Sequence, residues 1–298
     1  MPQSLLKKND FINFGRDLLG GARRFVQHVE PFRLRWITER IQVVRWPRGA
    51  YRLPEWQAHR GYWKEGAPQN TLESLIAARA AGAPMAEFDV RLTKDRVVVL
   101  FHDPDLEVVG RKELRVRELT YRELKAEVAG RFRLTTLKEV LQSPDVPELL
   151  NIELKSEEVL NDPLERAVAK VVDECGAAGR ILFSSFNPAS IWKISNLLPG
   201  VPRAFLISPD MEERSLREMW FAPFLKIHMV NLDKVMVTES SMRTWKRLGV
   251  PVAVWTAATE AEIEHYLNLG VASVITDVLP RRKTSPQPES APEVPSRH

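Results

Sequence analysis

The sequence predicts an α/β fold, a TIM (β/α)8 barrel, and three observations carry that prediction. Short apolar runs of strand length alternate with amphipathic helical segments between residues 53 and 280, which is how a parallel sheet is built from βα units. The 298 residues suffice for one such barrel with flanking extensions. Carboxylates and histidines stand at the downstream ends of several apolar runs, and a parallel barrel gathers those ends at one mouth.

Taken in order, residues 1–52 read as a basic amphipathic helical segment. Phe11, Phe14, Leu18, Ala22, Phe25 and Val29 recur at spacings of three and four, one face of a helix. Asn9 or Asp10 can cap its start. A second basic, apolar stretch runs from Pro31 to Val44. Residues 9–44 could pack on the barrel or close its bottom, lie on an anionic membrane surface, or make a subunit contact. Strand candidates follow at Trp56–His59, Met85–Val90, Val97–Phe101, Leu149–Leu154, Ile181–Ser184, Arg203–Leu206, Lys226–Val230, Val252–Trp255 and Val274–Thr276. That is one more than a barrel needs. Either a member of the strand–turn–strand around Thr93–Arg96 or the 226–230 run lies outside it. Helices fit at Thr71–Ala81, Leu137–Leu141, Pro163–Cys175, Pro188–Leu198, Ser240–Leu248 and Glu260–Leu269. Gly82, Gly249 and Gly270 terminate three of them. From Pro280 onward five prolines and three serines with little apolar bulk predict a disordered tail over 281–298.

Composition narrows the function classes. Hydrophobic content of 44% supports a sizeable core. No run reaches the roughly 18–20 apolar residues of a membrane span, and charges interrupt the first thirty residues where a signal peptide would need an apolar stretch. A cytoplasmic protein is expected, or one peripheral on the inner face of the membrane. Cys175 is the single cysteine and excludes an internal disulfide. Residues 1–57 hold eleven Lys and Arg against five acids, an excess of six, so the remainder carries −2 of the total +4. The basic character lies in the N-terminal segment, among Phe and Leu rather than in a nucleic-acid motif.

Four strings concentrate the chemistry: His59-Arg60-Gly61, Glu87-Phe88-Asp89, Phe101-His102-Asp103 and Glu153-Leu154-Lys155. Strand parity puts Glu87 and Asp89 on one face, and Glu153 with Lys155 and Asn151. Adjacent carboxylates repel unless a cation neutralises them. Three from two strands suit Mg2+ or Ca2+, whereas zinc would prefer His and Cys. A solvated strand face or a surface ion pair is the plainer alternative for each pair alone. Two of the six histidines end apolar runs beside these carboxylates. Two imidazoles can remove and deliver the protons that phosphodiester cleavage requires, with Arg60 and Lys155 on the non-bridging oxygens.

In order, these strings resemble the glycerophosphodiester phosphodiesterase family. Pro68-Gln69-Asn70-Thr71, Asp89-Val90-Arg91-Leu92-Thr93-Lys94-Asp95, Asn151-Ile152-Glu153-Leu154-Lys155, Ser184-Ser185-Phe186, Val254-Trp255-Thr256 and Ile275-Thr276-Asp277 extend the resemblance over about residues 55–280. It implies hydrolysis of glycerophosphodiesters to glycerol 3-phosphate and an alcohol. It implies Glu87, Asp89 and Glu153 as ligands of a divalent cation, His59 and His102 as acid–base pair, and Arg60, Lys155 and Trp255 at the substrate. Two stretches depart from the family pattern. Gln69 stands where a Glu is usual, and Ala257 and Ala258 follow Thr256 where Val-Asn is common. The basic N-terminal segment adds lysophospholipids as a substrate class. The rival expectation is a membrane-associated barrel that binds phosphate or lipid with little or no catalysis.

Overall fold

In the computed structural model, which describes residues 42–47, 50–161, 163–211 and 225–280, one nine-stranded sheet closes on itself. Eight strands are parallel: β1 (Trp56–His59), β2 (Met85–Leu92), β3 (Leu149–Leu154), β4 (Ile181–Ser185), β5 (Arg203–Ile207), β6 (Met229–Asp233), β7 (Val252–Ala257) and β8 (Ser273–Thr276). β8 pairs with β1 and β1 with β2, which completes the TIM barrel. Most of these strands are buried on both faces, so they read as continuous apolar runs.

The ninth strand, Val98–Leu100, runs antiparallel to the end of β2 and stands outside the barrel. This settles which of the nine candidates is surplus. The run at 226–230 divides differently from the expectation. Lys226–Ile227 forms a parallel ribbon with Gln42–Val43, and the barrel strand starts at Met229. Gln42–Val43 is therefore extended where the sequence predicted the end of a helix. Trp46, Tyr51 and Leu53 then pack against Met85, Leu149, Leu182, Ala204, Met229 and Ala253 at the amino ends of the strands, which seals the barrel bottom. Residues 44–47 and 50–52 of the predicted helical segment (1–52) carry no helix, and its residues 1–41, 48 and 49, like the tail (281–298), lie outside the described residues.

Helices wrap the outside, and their starts follow from local chemistry. Thr71, Thr120, Thr136 and Thr238 each cap a helix with a reciprocal capping box. One of these helices, Tyr121–Val128, was not predicted; it buries only Leu124 and Val128. Inside the barrel, below the mouth, a polar chain crosses the lumen. Gln57 donates to Ser273 at 3.0 Å, Asn151 to Gln57 at 3.0 Å, and Ser184 to Asn151 at 2.9 Å. The apolar mass lies instead between sheet and helices. The lumen is thus polar directly beneath the catalytic candidates.

Candidate active site

β2 and β3 run in register, with Glu87 opposite Asn151 and Asp89 opposite Glu153. Alternation turns Glu87, Asp89 and Glu153 into the mouth, where one oxygen of each lies within 4.8 Å of the others. All three are buried. Burial, reinforced by Asp89 and Glu153, pushes Glu87 well above the usual carboxylate range. Burial also raises Glu153 to about 7, against the pull of Lys155. Burial would raise Asp89 too, but Lys155, His102, Arg60 and a hydrogen bond from Asn70 together hold it below its ordinary value. Lys155 Nζ sits 2.6 Å from Glu153 Oε1 and 3.1 Å from Asp89 Oδ1. Arg60 Nε approaches Asp89 Oδ2 at 3.3 Å without hydrogen-bond geometry. Two cations face three carboxylates, so full ionisation would leave one buried negative charge unpaired, and Glu87 is driven toward its neutral form instead. Three oxygen donors that need one more positive charge to ionise fit a hard divalent cation.

The two histidines stand on either side of this cluster. His59 ends β1 in register with Glu87. His102 follows Phe101, whose N–H bonds the Asp89 carbonyl at 3.1 Å. Each ring is held at Nδ1 by a carboxylate oxygen 2.7 Å away, His59 by Asp277 and His102 by Asp103. A carboxylate on Nδ1 fixes the ring's orientation and puts its proton there, leaving Nε2 to exchange protons with a substrate. His102 is lowered from its ordinary value, chiefly by burial, with Asp89 opposing. Burial would raise Asp277, but the His59 contact, with Lys64 and Arg60, holds it below its ordinary value.

The loop between His59 and the helix Leu72–Ala80 shapes the rest. Arg60, Gly61 and Asn70 all adopt positive φ, at 55°, 80° and 55°. A side chain at Gly61 would meet Ser74, with Oγ only 2.4 Å from a Cβ there. This close approach lets Ser74 Oγ donate to the Arg60 carbonyl at 3.0 Å and the Arg60 N–H reach Glu87 Oε2 at 3.2 Å. Asn70 clasps Asp89 at two points: its Nδ2 donates to Oδ2 at 2.9 Å, and its Oδ1 accepts from the Asp89 N–H at 2.9 Å. Gln69 Oε1 accepts from the Arg60 guanidinium at 3.0 Å. Gln69 therefore contacts the arginine; its recorded bond is not to the carboxylate cluster.

Of the eight residues singled out in the sequence, His59, Arg60, Glu87, Asp89, His102, Glu153 and Lys155 converge. Trp255 stands at the carboxyl end of β7, its Nε1 donating to the Asn231 carbonyl at 3.1 Å. It packs edge-on to Phe186, with ring centroids 5.5 Å apart, and Phe186 in turn lies 5.8 Å from Lys155 Nζ. Trp255 thus reaches the cluster through one intervening ring. Sequence reasoning gave no site role to Asn70, Asp103, Asp277 or Arg91. Their neighbourhood in the motifs was the available signal; their partners are set by tertiary closure.

Comparison with known proteins agrees with this geometry. Residues 59–280 match the model of the glycerophosphoryl diester phosphodiesterase family. A glycerophosphodiester phosphodiesterase of Caldanaerobacter subterraneus subsp. tengcongensis is 30% identical over 230 residues, covering 74% of this chain and 92% of that protein. A human lysophospholipase D is 26% identical over 258 residues, covering 74% and 81%. An Oleispira antarctica phosphodiesterase, solved in complex with the product sn-glycerol-3-phosphate, superposes with a TM-score of 0.64 at 26% identity, covering 76% and 93%.

Proposed function

The chain belongs to the glycerophosphoryl diester phosphodiesterase family, a family of hydrolases acting on glycerophosphodiesters, and from that premise we propose how its own residues do the chemistry. The substrate is a glycerophosphodiester, cleaved to glycerol 3-phosphate and an alcohol. Glu87, Asp89 and Glu153 hold the divalent cation, Mg2+ or Ca2+; when bound, such a cation supplies Lewis-acid stabilisation of the phosphoryl oxygens. His59 and His102 form the acid–base pair. One takes a proton through Nε2 from the attacking group, either water or a neighbouring substrate hydroxyl whose cyclic phosphate water then opens, and the other returns a proton to the departing alkoxide. Arg60 and Lys155 bind the non-bridging oxygens, and Trp255 with Phe186 walls the mouth.

The observation that carries this reading is the paired orientation of the histidines. Each has a carboxylate on Nδ1 at 2.7 Å, and both stand beside one buried carboxylate cluster. A structural histidine needs no such partner facing a polar mouth. The test is a release assay on glycerophosphocholine and glycerophosphoethanolamine with wild type, His59→Ala and His102→Ala. Each substitution is expected to lower kcat by about 10²–10⁴-fold with the melting temperature kept. EDTA should abolish turnover, and Mg2+ or Ca2+ should restore it. Full activity in either variant, or in metal-stripped protein, would overturn the assignment.

Lysophospholipids are the second substrate class proposed, supported by the named activity of the human relative. Residues 9–44 would bring such substrates close at an anionic membrane surface, with the protein cytoplasmic and peripheral on the inner face. Comparing liposome binding of the full chain with that of a chain lacking residues 1–41 tests this, since the deletion keeps the bottom-sealing residues. Among the described residues no helix is long and apolar enough to cross a membrane.

A further inference from the structure

Above the carboxylate cluster, three arginines close on one glutamate. Arg91 NH1 lies 3.1 Å from Glu157 Oε1, while Arg117 NH1 and Arg115 NH1 lie 3.3 Å and 3.8 Å from Oε2. Arg115 and Arg117 come from the hairpin segment that follows His102 and Asp103, and the residue between them, Val116, is buried and anchored to the Pro104 carbonyl. Arg91 is fixed from below. Its Nε donates to the His102 carbonyl at 2.9 Å and its NH1 to the Lys155 carbonyl at 3.4 Å. The cluster is therefore tied to backbone at two of the residues that the proposed chemistry uses. Arg91 also shares strand parity with Glu87 and Asp89. It stands two residues further toward the mouth than Asp89, a rise of roughly 7 Å.

The charge does not balance. Three guanidiniums carry +3 and Glu157 returns −1; Asp89 and Asp103 also act on Arg91 but form no ion pair with Arg115 or Arg117. A guanidinium has five N–H donors, and among the described residues Arg115 and Arg117 meet no carboxylate but Glu157. The Arg115 and Arg117 contacts with Glu157 are exposed, and one is 3.8 Å long, so their own contribution to stability is small. Guanidiniums suit the several oxygens of a phosphate.

We propose that Arg91, Arg115 and Arg117 form an anion subsite for a phosphate monoester that the substrate carries beyond the scissile diester. This rests on the phosphodiesterase reading of the neighbouring site. It makes the preferred substrates glycerophosphodiesters with a second phosphate, and the subsite a determinant of specificity rather than of catalysis.

The test compares two substrates, glycerophosphoinositol and glycerophosphoinositol 4-phosphate, on wild type and on the double variant Arg115→Ala/Arg117→Ala. In the double variant kcat/KM for the 4-phosphate should fall about tenfold or more, while that for glycerophosphoinositol stays unchanged. Arg115→Lys/Arg117→Lys should recover part of the loss, because the charge is kept and the fork is not. In parallel, calorimetry measures binding of inositol 1,4-bisphosphate to wild type and to the double variant, with Kd expected to rise about tenfold or more. An equal fall for both substrates, or equal Kd values in the two proteins, overturns the subsite. If wild type turns over neither substrate, the phosphodiesterase reading fails for this class, and the calorimetric comparison alone decides the anion site.

Discussion

Gly61→Ala is the most demanding single-atom perturbation of the site. The residue has φ of 80°, and a left-handed conformation costs a non-glycine residue roughly 1–2 kcal/mol. The added methyl would lie 2.4 Å from Ser74 Oγ, 2.7 Å from its Cβ and 2.6 Å from its carbonyl carbon. The third of these atoms is backbone at the start of the helix Leu72–Ala80, so a rotamer change at Ser74 cannot relieve the contact. Overpacking of this kind costs about 1–3 kcal/mol. The two costs together give roughly 2–5 kcal/mol, a fall in melting temperature of at least about 4 °C for a domain of this size. Gly176→Ala is the control: φ is 60° there, and nothing lies within 4 Å of a Cβ, so only the conformational cost remains. The assay is thermal unfolding of both variants followed by circular dichroism, with glycerophosphodiester hydrolysis measured well below the transition. Gly61→Ala should also lose activity, since the same shift pulls the Arg60 N–H from Glu87. A melting temperature equal to that of Gly176→Ala, with full activity, would refute the claim that this close approach sets the arginine loop.

Two further outcomes are expected. Burial, aided by Arg203, lowers His228 to about 4. The unfolded chain therefore takes up its proton first, and the stability present above pH 6.5 is lost as pH falls toward 4. Wild type should lose about 2 kcal/mol more than His228→Gln between pH 7.5 and 5, measured by urea unfolding, and parallel curves would refute it. Gln69→Glu should shift the midpoint of the Mg2+ dependence of the melting temperature by about tenfold or more, because Gln69 meets the Arg60 guanidinium, Arg60 contacts Asp89, and partners one contact behind a metal ligand carry about 10–100-fold of metal affinity; an unchanged midpoint would refute that link.

How far the sequence revealed the fold depended on where each element's stabilising contacts lie. Strands buried on both faces announce themselves as apolar runs, so β2, β3, β4 and β5 are legible within a residue or two. β6 was cut short and shifted, because Asn231 and Asp233 are polar residues of a strand whose lumen is polar. Val98–Leu100 has the same apolar character as a barrel strand. What sets it apart is the tight turn at Thr93–Arg96, where Thr93 Oγ1 donates to Asp95 and Arg96 takes φ of 64°. Gln42–Val43 is strand only because Lys226–Ile227 lies alongside. A partner so distant in sequence leaves no local trace.

The site shows the same division, and Lys155 shows how both halves can be right. Parity groups Lys155 with Glu153, and phosphate chemistry wants a cation there; both inferences need only the sequence. The structure places its Nζ between Asp89 and Glu153, among the proposed metal ligands. The two placements are compatible because an ammonium has three N–H donors. Nζ lies in ion-pair range of Asp89 and Glu153, Glu153 Oε1 accepts no hydrogen bond from it, and donors remain for a phosphate oxygen. Arg60 divides its donors likewise between Gln69 and the mouth. Asn70 and Asp277 act through contacts that form only when the barrel closes, the His59–Asp277 pair spanning a separation of 218 residues. Residue identity was therefore enough to single out the charged and titratable groups that converge in the mouth, whereas the groups that orient them became visible only once β8 was hydrogen-bonded to β1.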